Sequence, residues 1–286
     1  MRILIFKGGK IRILQYKGFF MNVNDWFLLR QMIMRNIQLR FKGSFLGWIW
    51  SFLIPLLMLV VYTIVFGNFF KSRWGVDVGE NKMLFAVALF SGMTFYNIFS
   101  ESVSVSSCCI VSNVNYVKKV RFPLLFLPFS QVLSTALLSI PSIILLFGCV
   151  IWQFHHASIS WLLLPVSLLP LIMFSAGVSF FVASLGVYFR DLQYLITIIL
   201  QMLFFLSPVF YRLGSLPENF REMLQYNPMV WFIELNRGVL FNGCKGMEYT
   251  LPDASSWLVS YGLGIAALIL GLIWFNKTKR GFSDVL

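Results

Sequence analysis

Residues Phe45–Gly67 read FLGWIWSFLIPLLMLVVYTIVFG, a run of 23 residues that contains no charged side chain. The hydrocarbon core of a bilayer is about 30 Å thick, and a helix needs about 20 apolar residues to cross it. Because lipid offers no water to the backbone, a run of this length is expected to be helical. The stretch is therefore a candidate membrane span.

Five further runs of similar character follow along the chain, so the sequence predicts an all-α integral membrane protein with six transmembrane helices. The predicted spans are Phe45–Gly67, Met83–Ser107, Phe122–Trp152, Trp161–Tyr188, Tyr194–Tyr211 and Ser256–Phe275. Glu101 interrupts the second span. A carboxylate at such a place is expected to be protonated, to bond to a neighbouring serine or to face the interior of the bundle.

The composition excludes an ordinary soluble domain. Of the 286 residues, 58% are hydrophobic and 12% are charged, whereas about a quarter of the residues are charged in a typical soluble domain. The net charge of +12 does not indicate nucleic-acid binding, because no stretch is long and polar enough to form a basic, water-exposed domain. The four cysteines lack metal-ligand spacing, so no metal site is predicted.

The distribution of basic residues predicts the orientation in the membrane. Sixteen of the 23 lysines and arginines fall in the N-terminal segment and in the loops on its side of the six predicted spans. Cytoplasmic segments carry such an excess. Both termini are therefore predicted to be cytoplasmic.

The chain divides into three predicted segments: a basic arm at 1–24, an amphipathic interfacial helix at 25–43 and a six-span transmembrane domain at 44–286. The arm either adds attraction to anionic lipid or has no role in transport, and we expect residues 1–20 to be peripheral. Arg30, Arg35, Arg40 and Lys42 are the basic residues of the interfacial helix. Its predicted apolar face contains Trp26, Leu29, Ile33, Ile37 and Phe41, and its predicted polar face contains Gln31, Arg35, Gln38 and Lys42.

Three charged residues of the predicted interfacial helix have further expected roles. Asp25 is expected to cap its N-terminus. Arg30 and Arg40 lie near the apolar edge. Either their aliphatic stems snorkel along the membrane surface, or they contact a partner or a phosphate.

The segment after the fifth predicted span is too long for a simple turn. Its semi-apolar stretch, Tyr226–Phe241, is too short and too charged to cross the membrane, so re-entrant helices are predicted at about 212–243. Glu234 and Arg237 are three residues apart and can pair on one helical face. Pro208 is predicted to kink the fifth span before its outer end.

Four blocks occur in order along these predicted elements: LRFKGSFLGWIWSFLIPLL from Leu39, NVNYVKKVRFPLLFLP from Asn113, YFRDLQYLITIILQMLFFLSPVFY from Tyr188, and NPMVWFIELNRGVLF from Asn227. With these blocks the sequence resembles the permease subunits of type-2 ABC exporters that move O-antigen, capsular polysaccharide or teichoic acid. The resemblance runs from about Asp25 to the C-terminus.

The resemblance implies a coupling loop at about 108–121 that contacts a separate ATPase. Its candidate residues are Asn113, Asn115, Tyr116, Val117, Lys118 and Lys119, to which the resemblance adds Arg190 and Asp191 after the fourth span. Alternatively, the lysines are ordinary anchors of a cytoplasmic loop. Asp191 is also a candidate N-cap for the next helix.

Several aromatic residues cluster around the predicted outer mouth, namely Phe210, Tyr211, Phe220, Trp231 and Phe232. Such residues are typical of an interfacial aromatic belt. Their flat apolar faces and polar edges are also suited to sliding contacts with sugar rings. The second interpretation makes them candidates for a polysaccharide pathway with an outer gate.

The chain contains no GxxxxGK[S/T] motif, the loop that cradles ATP phosphates. The expected function is therefore that of a non-enzymatic permease that moves lipid-linked polysaccharide, most of all O-antigen, across the bacterial inner (plasma) membrane. The resemblance implies that a second copy of the chain and two copies of an ABC ATPase complete the exporter. ATP and Mg²⁺ would bind the ATPase, and this chain would need no cofactor of its own.

Two alternatives remain at this stage. A transferase acting on polyprenyl-linked sugars would need clustered acids for a metal and a diphosphate, whereas Asp25, Asp191 and Asp284 are scattered singly. An ion-coupled secondary transporter would prefer inverted repeats and paired charges within the membrane, and the sequence shows neither.

Overall fold

The computed structural model of the chain describes residues 2–7, 10–15, 23–68, 82–118, 122–245, 247 and 249–286. Two short strands, β1 (Arg2–Lys7) and β2 (Lys10–Gln15), form an antiparallel hairpin in which Arg2 lies opposite Gln15. Sequence reasoning predicted a basic arm here but no strand. From Val23 onward, every regular element among the described residues is helical, which confirms the helical membrane class for that part.

Twelve α-helices occur in the described part of the chain. They are α1 (Val23–Phe41), α2 (Trp50–Asn68), α3 (Lys82–Ser106), α4 (Val114–Lys118), α5 (Phe126–Leu138), α6 (Ile140–Phe154), α7 (Leu164–Tyr188), α8 (Leu192–Leu206), α9 (Glu218–Gln225), α10 (Pro228–Leu240), α11 (Ala254–Thr278) and α12 (Phe282–Val285). Short 3₁₀ segments precede α2, α4, α7, α9 and α12 in this part of the chain.

Five helical stretches in the described residues are long and apolar enough to cross a membrane: Gly47–Val65, Leu84–Ser106, Phe126–Phe154, Ile159–Tyr188 and Ala254–Val285. They correspond to five of the six predicted spans. The remaining predicted span, Tyr194–Tyr211, falls on the apolar but shorter α8. This helix stops at Leu206 because Ser207 precedes a proline and adopts extended backbone, with ψ of 151°.

The third predicted span consists of two helices joined at Ser139. Pro141 lies in the first turn of α6. A proline nitrogen has no hydrogen to donate to the preceding helical turn. The span therefore bends at the α5–α6 junction instead of running as one regular helix.

The closest helix packing joins α7 and α11. A Cβ atom built on Gly177 would lie 2.2 Å from the carbonyl oxygen of Ala267, and one on Gly271 would lie 2.2 Å from that of Gly177. Any larger side chain at these positions would collide with backbone. Van der Waals contact between closely approaching backbones is a principal force between helices in lipid, so these glycines stabilise the fourth and last spans as a pair.

Helix α3 defines the two ends of the bundle. It contacts α10 near its N-terminus and leads at its C-terminus into the turn that precedes α4. We call these the α10 end and the α4 end. A buried apolar cluster at the α4 end joins Met32 of α1, Ile110, Leu127 of α5, Phe180 of α7 and Phe282 of α12. The C-terminal helix is thus packed against the same core as the interfacial helix.

Candidate functional sites at the two ends of the bundle

The predicted coupling loop forms the short helix α4. Asn115 and Lys118 are exposed, whereas Asn113, Tyr116 and Val117 are partly buried. Tyr116 and Val117 pack against the apolar cluster of the α4 end. The helix therefore presents one face to solvent and one to the rest of the chain. Lys119, the last predicted coupling residue, lies outside the described residues.

Arg35 joins the interfacial helix to α4. Its Nη1 donates a hydrogen bond to the Tyr116 hydroxyl at 2.9 Å, and its Nη2 donates to Oδ1 of Asn113 at 3.2 Å. The guanidinium carbon lies 5.5 Å from the centroid of the Tyr116 ring. The sequence predicted Arg35 on the polar face of the helix, and in the structure Arg35 binds Asn113 and Tyr116.

The faces of α1 differ in part from the predicted ones. Leu29 and Ile33 of the predicted apolar face are buried against the protein, whereas Trp26 of the same face is 60% exposed and Met32, outside the predicted face, is buried. The cause is the contact with α5, where Asn36 also donates a hydrogen bond to Ser130 at 3.0 Å. The helix begins at Val23, so Asp25 lies within its first turn and is not the N-cap. Arg30 and Lys42 are exposed.

Arg40 forms an ion pair within the chain, which the sequence did not predict. Its Nη1 contacts Oε1 of Glu101 in α3, and both side chains are partly exposed. Glu101, the carboxylate that interrupts the second span, therefore has a cationic partner from the end of the interfacial helix.

A groove with a volume of about 540 Å³ lies beside this ion pair, between α2, α3 and the α5–α6 region. Arg40 and Glu101 contribute its charged side chains, and Asn97, Ser100 and Ser104 add polar groups. Of the side chains described in α2, only Leu59 is buried. Most of the α2 surface is thus not covered by the rest of the chain, and the groove lies between α2 and the more buried α3.

Arg190 and Asp191 connect α7 to α8, and both are exposed. Asp191 occupies the N-cap position of α8, but its side chain makes no capping hydrogen bond. The expected capping role is therefore wrong. The junction lies at the α4 end, because a Cβ atom on Gly186 of α7 would lie 2.0 Å from the carbonyl oxygen of Ser107, which follows α3.

At the α10 end, Asn227 holds two helix termini together. Its Oδ1 accepts a hydrogen bond from the backbone N–H of Met229 at 3.0 Å, which caps α10, and Pro228 follows in the first turn. Its Nδ2 donates to the carbonyl oxygen of Leu206 at 3.1 Å and to the Ser207 hydroxyl at 3.2 Å. These bonds satisfy groups that the break at Pro208 leaves without helical partners.

Arg237 is completely buried and uses all five of its N–H groups. Nε donates to the Ser91 hydroxyl at 3.3 Å, and Nη2 donates to the carbonyl oxygens of Ala88 and Val209, both at 3.0 Å. Nη1 donates to the carbonyl oxygen of Pro208 and to Glu234 at 3.4 Å. The expected pairing of Glu234 with Arg237 is present.

Sequence reasoning missed the larger role of Arg237, which links α3, the break after α8, and α10. An arginine within a semi-apolar stretch was the available signal, because a buried charge requires several partners. Its partners are mostly backbone carbonyls. Since every residue carries such a carbonyl, the sequence does not identify them.

The aromatic residues at the α10 end occupy different environments. Phe210 packs on Phe204 and Phe205, with ring centroids 5.0 and 5.8 Å away. Phe220 is exposed, and Trp231 donates from its indole to the carbonyl oxygen of Gln225 at 3.0 Å. The hydroxyl of Tyr211 donates to the carbonyl oxygen of Leu206 at 3.2 Å.

Phe232 departs from the predicted set of outer-mouth residues. Its side chain is fully buried, and its ring lies 5.1 Å from that of Phe174 in α7. One side of α10 packs against the bundle, and Phe232 lies on that side. The ring is therefore a core residue, and we remove it from the candidate pathway.

A cavity of about 390 Å³ opens beside α10, with Arg212, Trp231, Glu234, Tyr249 and Asp253 in its lining. The guanidinium carbon of Arg212 lies 5.2 Å from the centroid of the Tyr249 ring. Burial raises the pKa of the Tyr249 phenol well above its ordinary value. The protonated hydroxyl donates to Glu234 at 3.5 Å, so aromatic and charged groups meet in one small space.

These features define a helical membrane protein of several spans, with a small exposed helix at one end and the short helices α9 and α10 at the other. Residues 28–241 match the family described as ABC-2 type transporter, and the chain belongs to that family. It is 30% identical to an O-antigen export system permease protein, RfbA, of Myxococcus xanthus over 94% of this chain and 96% of the relative.

Two further relatives have similar coverage. The O-antigen export system permease protein RfbA of Klebsiella pneumoniae is 28% identical over 88% of this chain and 92% of its own length. The polysialic acid transport protein KpsM of Escherichia coli is 28% identical over 82% of this chain and 90% of its own length. The resemblance to permeases of type-2 ABC polysaccharide exporters is thus confirmed.

Proposed function

We propose that this chain is the membrane subunit of an ATP-driven exporter that moves lipid-linked polysaccharide out of the cytoplasm, with O-antigen as the cargo. The observation that carries this proposal is the match over nearly the whole chain to permeases named for O-antigen export. A relative named for polysialic acid transport supports the broader class of polysaccharide cargo. The sequence lacks a phosphate-binding loop motif, which supports the proposal that a separate ABC ATPase hydrolyses ATP.

The exposed residues of the α4 end supply a docking site for that ATPase. Asn115, Lys118, Arg190 and Asp191 are solvent-accessible, and the contact between Gly186 and Ser107 brings the two short connections to the same end of the bundle. The partly buried residues of this segment do not contact the ATPase in this proposal. They attach α4 to the rest of the permease, and they are Asn113, Tyr116 and Val117. Both termini and α4 then face the cytoplasm.

In this arrangement α8 completes a sixth span together with the segment after Pro208, and α9 and α10 form the outer cap. Phe210, Tyr211, Phe220 and Trp231 are the aromatic candidates for contact with the polysaccharide. One narrow bundle has little room for a sugar chain. A second copy of this chain and two ATPase subunits are therefore part of the proposed exporter of the bacterial inner membrane.

The proposal is tested by deleting the gene and following the polysaccharide. We expect lipid-linked polysaccharide to accumulate on the cytoplasmic side and to disappear from the cell surface, and an intact copy of the gene to reverse both effects. Export of a lipopolysaccharide-type chain predicts that lipid A without O-antigen remains at the surface. Loss of a capsule with unchanged lipopolysaccharide would overturn the choice of O-antigen, and unchanged surface polysaccharide would overturn the export function.

A further inference from the structure

We propose that a groove between α7 and α11 binds an anionic phospholipid of the cytoplasmic leaflet, with an acyl chain in the groove and the headgroup phosphate at Lys277. This groove shares no lining residue with the groove beside Arg40 or with the cavity beside α10. The site therefore goes beyond the proposed function and takes from it only the cytoplasmic placement of the α4 end.

The groove follows the line along which α7 and α11 touch, and its volume is about 450 Å³. Lys277 contributes the one polar side chain of its lining, which consists of Gly177, Val178 and Phe181 of α7 and of Ala267, Leu270, Gly271, Ile273, Trp274 and Lys277 of α11. The rings of Phe181 and Trp274 lie side by side, with centroids 5.0 Å apart. These two rings lie between the glycine contact and Lys277 along the helices.

The side of α7 and α11 that carries the groove is open. Leu270 is 67% exposed and Ile273 is 49% exposed, so the described part of the chain leaves both side chains largely uncovered. Both helices belong to the stretches that are long and apolar enough to cross a membrane. An uncovered apolar groove on such helices is filled by the hydrocarbon around it, because leaving it empty forfeits dispersion contacts along its walls.

Lys277 adds a charge at one end of this apolar surface. It lies three residues beyond Trp274, which places the two side chains on neighbouring parts of one helical face. Its side chain is exposed, and no carboxylate among the described residues forms an ion pair with it. The flexible stem of a lysine can lie along an acyl chain while its ammonium reaches a phosphate.

Further cations surround the same end of the groove, because the C-terminal ends of α7 and α11 meet. The Tyr188 hydroxyl donates a hydrogen bond to the carbonyl oxygen of Thr278 at 3.0 Å. The connected segments carry four exposed cations and two acids, namely Arg190, Lys277, Lys279 and Arg280 with Asp191 and Asp284. Basic pockets between membrane helices on the cytoplasmic side bind anionic headgroups. This charge complementarity favours an anionic lipid over a zwitterionic one.

Competition between two lipids tests the role of Lys277. The full-length permease would be purified in detergent and mixed with equal amounts of phosphatidylglycerol and phosphatidylcholine that have identical acyl chains, and retained lipid would be measured by native mass spectrometry. We expect the wild type to retain about tenfold more phosphatidylglycerol. Lys277→Gln should reduce this preference about fivefold, which is the contribution expected of one cation near an anionic headgroup.

Lys42→Gln, at an exposed lysine after α1, is the matched control and should keep the preference of the wild type. Equal retention of the two lipids by the wild type would overturn the proposal. Equal preferences in Lys277→Gln and Lys42→Gln would also overturn it, because the lysines would then attract anionic lipid only as general anchors. The measurement uses neither ATPase nor polysaccharide, so its outcome is separate from that of the export experiment.

A neighbouring pair of alanines tests the groove itself. Ala267 lines the groove, whereas Ala266 is exposed outside it. Ala267→Phe should reduce retention of both lipids severalfold because its ring occupies the space of the acyl chain, and Ala266→Phe should match the wild type. Glycerol 3-phosphate, which carries the phosphate without acyl chains, should not displace the lipid.

Equal lipid retention by the two alanine variants, or displacement of the lipid by glycerol 3-phosphate, would overturn the placement of the acyl chain. Loss of an oligomer in Ala267→Phe with unchanged lipid retention would assign the groove to a second copy of the chain and overturn the proposal. If Ala267→Phe does not fold, the comparison of Lys277→Gln with Lys42→Gln still decides, since both lysines are exposed.

Discussion

Nη2 of Arg237 donates a hydrogen bond to the carbonyl oxygen of Val209 at 3.0 Å, which connects the last turn of α10 to the chain just after the proline break. The same nitrogen reaches the carbonyl oxygen of Ala88 in α3 at 3.0 Å. A single buried guanidinium therefore determines how three elements of the α10 end are arranged.

Replacing Arg237 with methionine should destabilise the protein by about 3 to 5 kcal/mol, because Glu234 and several buried carbonyls lose their donor. Arg237→Lys should lose less stability, since an ammonium keeps the charge but has fewer hydrogen-bond donors. The measurement is the thermal midpoint of the purified permease in detergent, with Arg221→Met, at an exposed arginine, as the matched control. Equal midpoints for Arg237→Met and wild type would contradict the role of this network.

Gly92→Ala should disturb the same network without removing any polar group. A Cβ atom at Gly92 would lie 2.4 Å from Nη2 of Arg237 and 3.1 Å from the Cα atom of Val209. We expect a lower thermal midpoint. The controls are Gly148→Ala and Gly262→Ala, which meet no atom within 4 Å and should be neutral or slightly stabilising. If all three variants behave alike, the space around Arg237 is not restricted.

Exchange of charges between Arg40 and Glu101 tests the ion pair beside the groove. Because both groups are partly exposed, the pair should contribute about 1 kcal/mol or less to stability. Glu101→Arg alone should reduce polysaccharide export strongly, since two cations then face each other. The double variant Arg40→Glu with Glu101→Arg should restore much of the polysaccharide export. No recovery in the double variant, with normal amounts of both proteins in the membrane, would contradict a functional pairing.

Lys118→Glu should weaken binding of the ATPase while leaving the permease folded, because Lys118 is exposed on α4. Co-purification of the two subunits at increasing salt checks this expectation, since contacts between exposed charges are screened by ions. Arg221→Glu, at the α10 end, is the control for a change of net charge. Identical binding by Lys118→Glu and the wild type would favour the simple anchor interpretation of the α4 lysine.

Trp231→Ala and Phe232→Ala should have different consequences although the residues are neighbours. Trp231 lines the cavity beside α10, so its loss should slow export of long chains more than short ones. Phe232 is buried against Phe174, and its truncation should cost about 3 to 5 kcal/mol of stability. Chain-length distribution on the cell surface and the thermal midpoint separate the two effects. A purely structural effect of Trp231→Ala would support the aromatic-belt interpretation.

Much of the architecture could be predicted from local properties of the sequence. Length and apolarity identified the positions of the long spans, since any segment without charges for about 20 residues is stable in lipid. The helix break at Pro208 could also be predicted from neighbouring residues, because proline restricts the backbone conformation of the residue before it. The blocks at Leu39, Asn113, Tyr188 and Asn227 also indicated the family, which the match over residues 28–241 confirmed.

The partners of individual side chains depended on tertiary structure. Arg35 was assigned to the polar face of α1 and Trp26 to its apolar face, because helical periodicity gives relative directions but does not identify the neighbouring helix. Phe232 was placed at the outer mouth because its residue type alone does not distinguish an interfacial aromatic belt from a buried core. Contacts over long sequence separations, such as Arg40 with Glu101 and Arg237 with Ala88, also required the folded chain.

The sequence by itself thus determined the helical membrane class, the family and the break at Pro208, because each depends on residues that are close together along the chain. Only the tertiary structure decided which face of α1 is buried and that Arg35 donates a hydrogen bond to Tyr116 of α4. It also decided that Arg237 binds carbonyl oxygens of α3 and of the chain after α8. Those contacts exist because packing brings distant segments within a few ångströms. Backbone carbonyls, which every residue carries, then become specific partners by position alone.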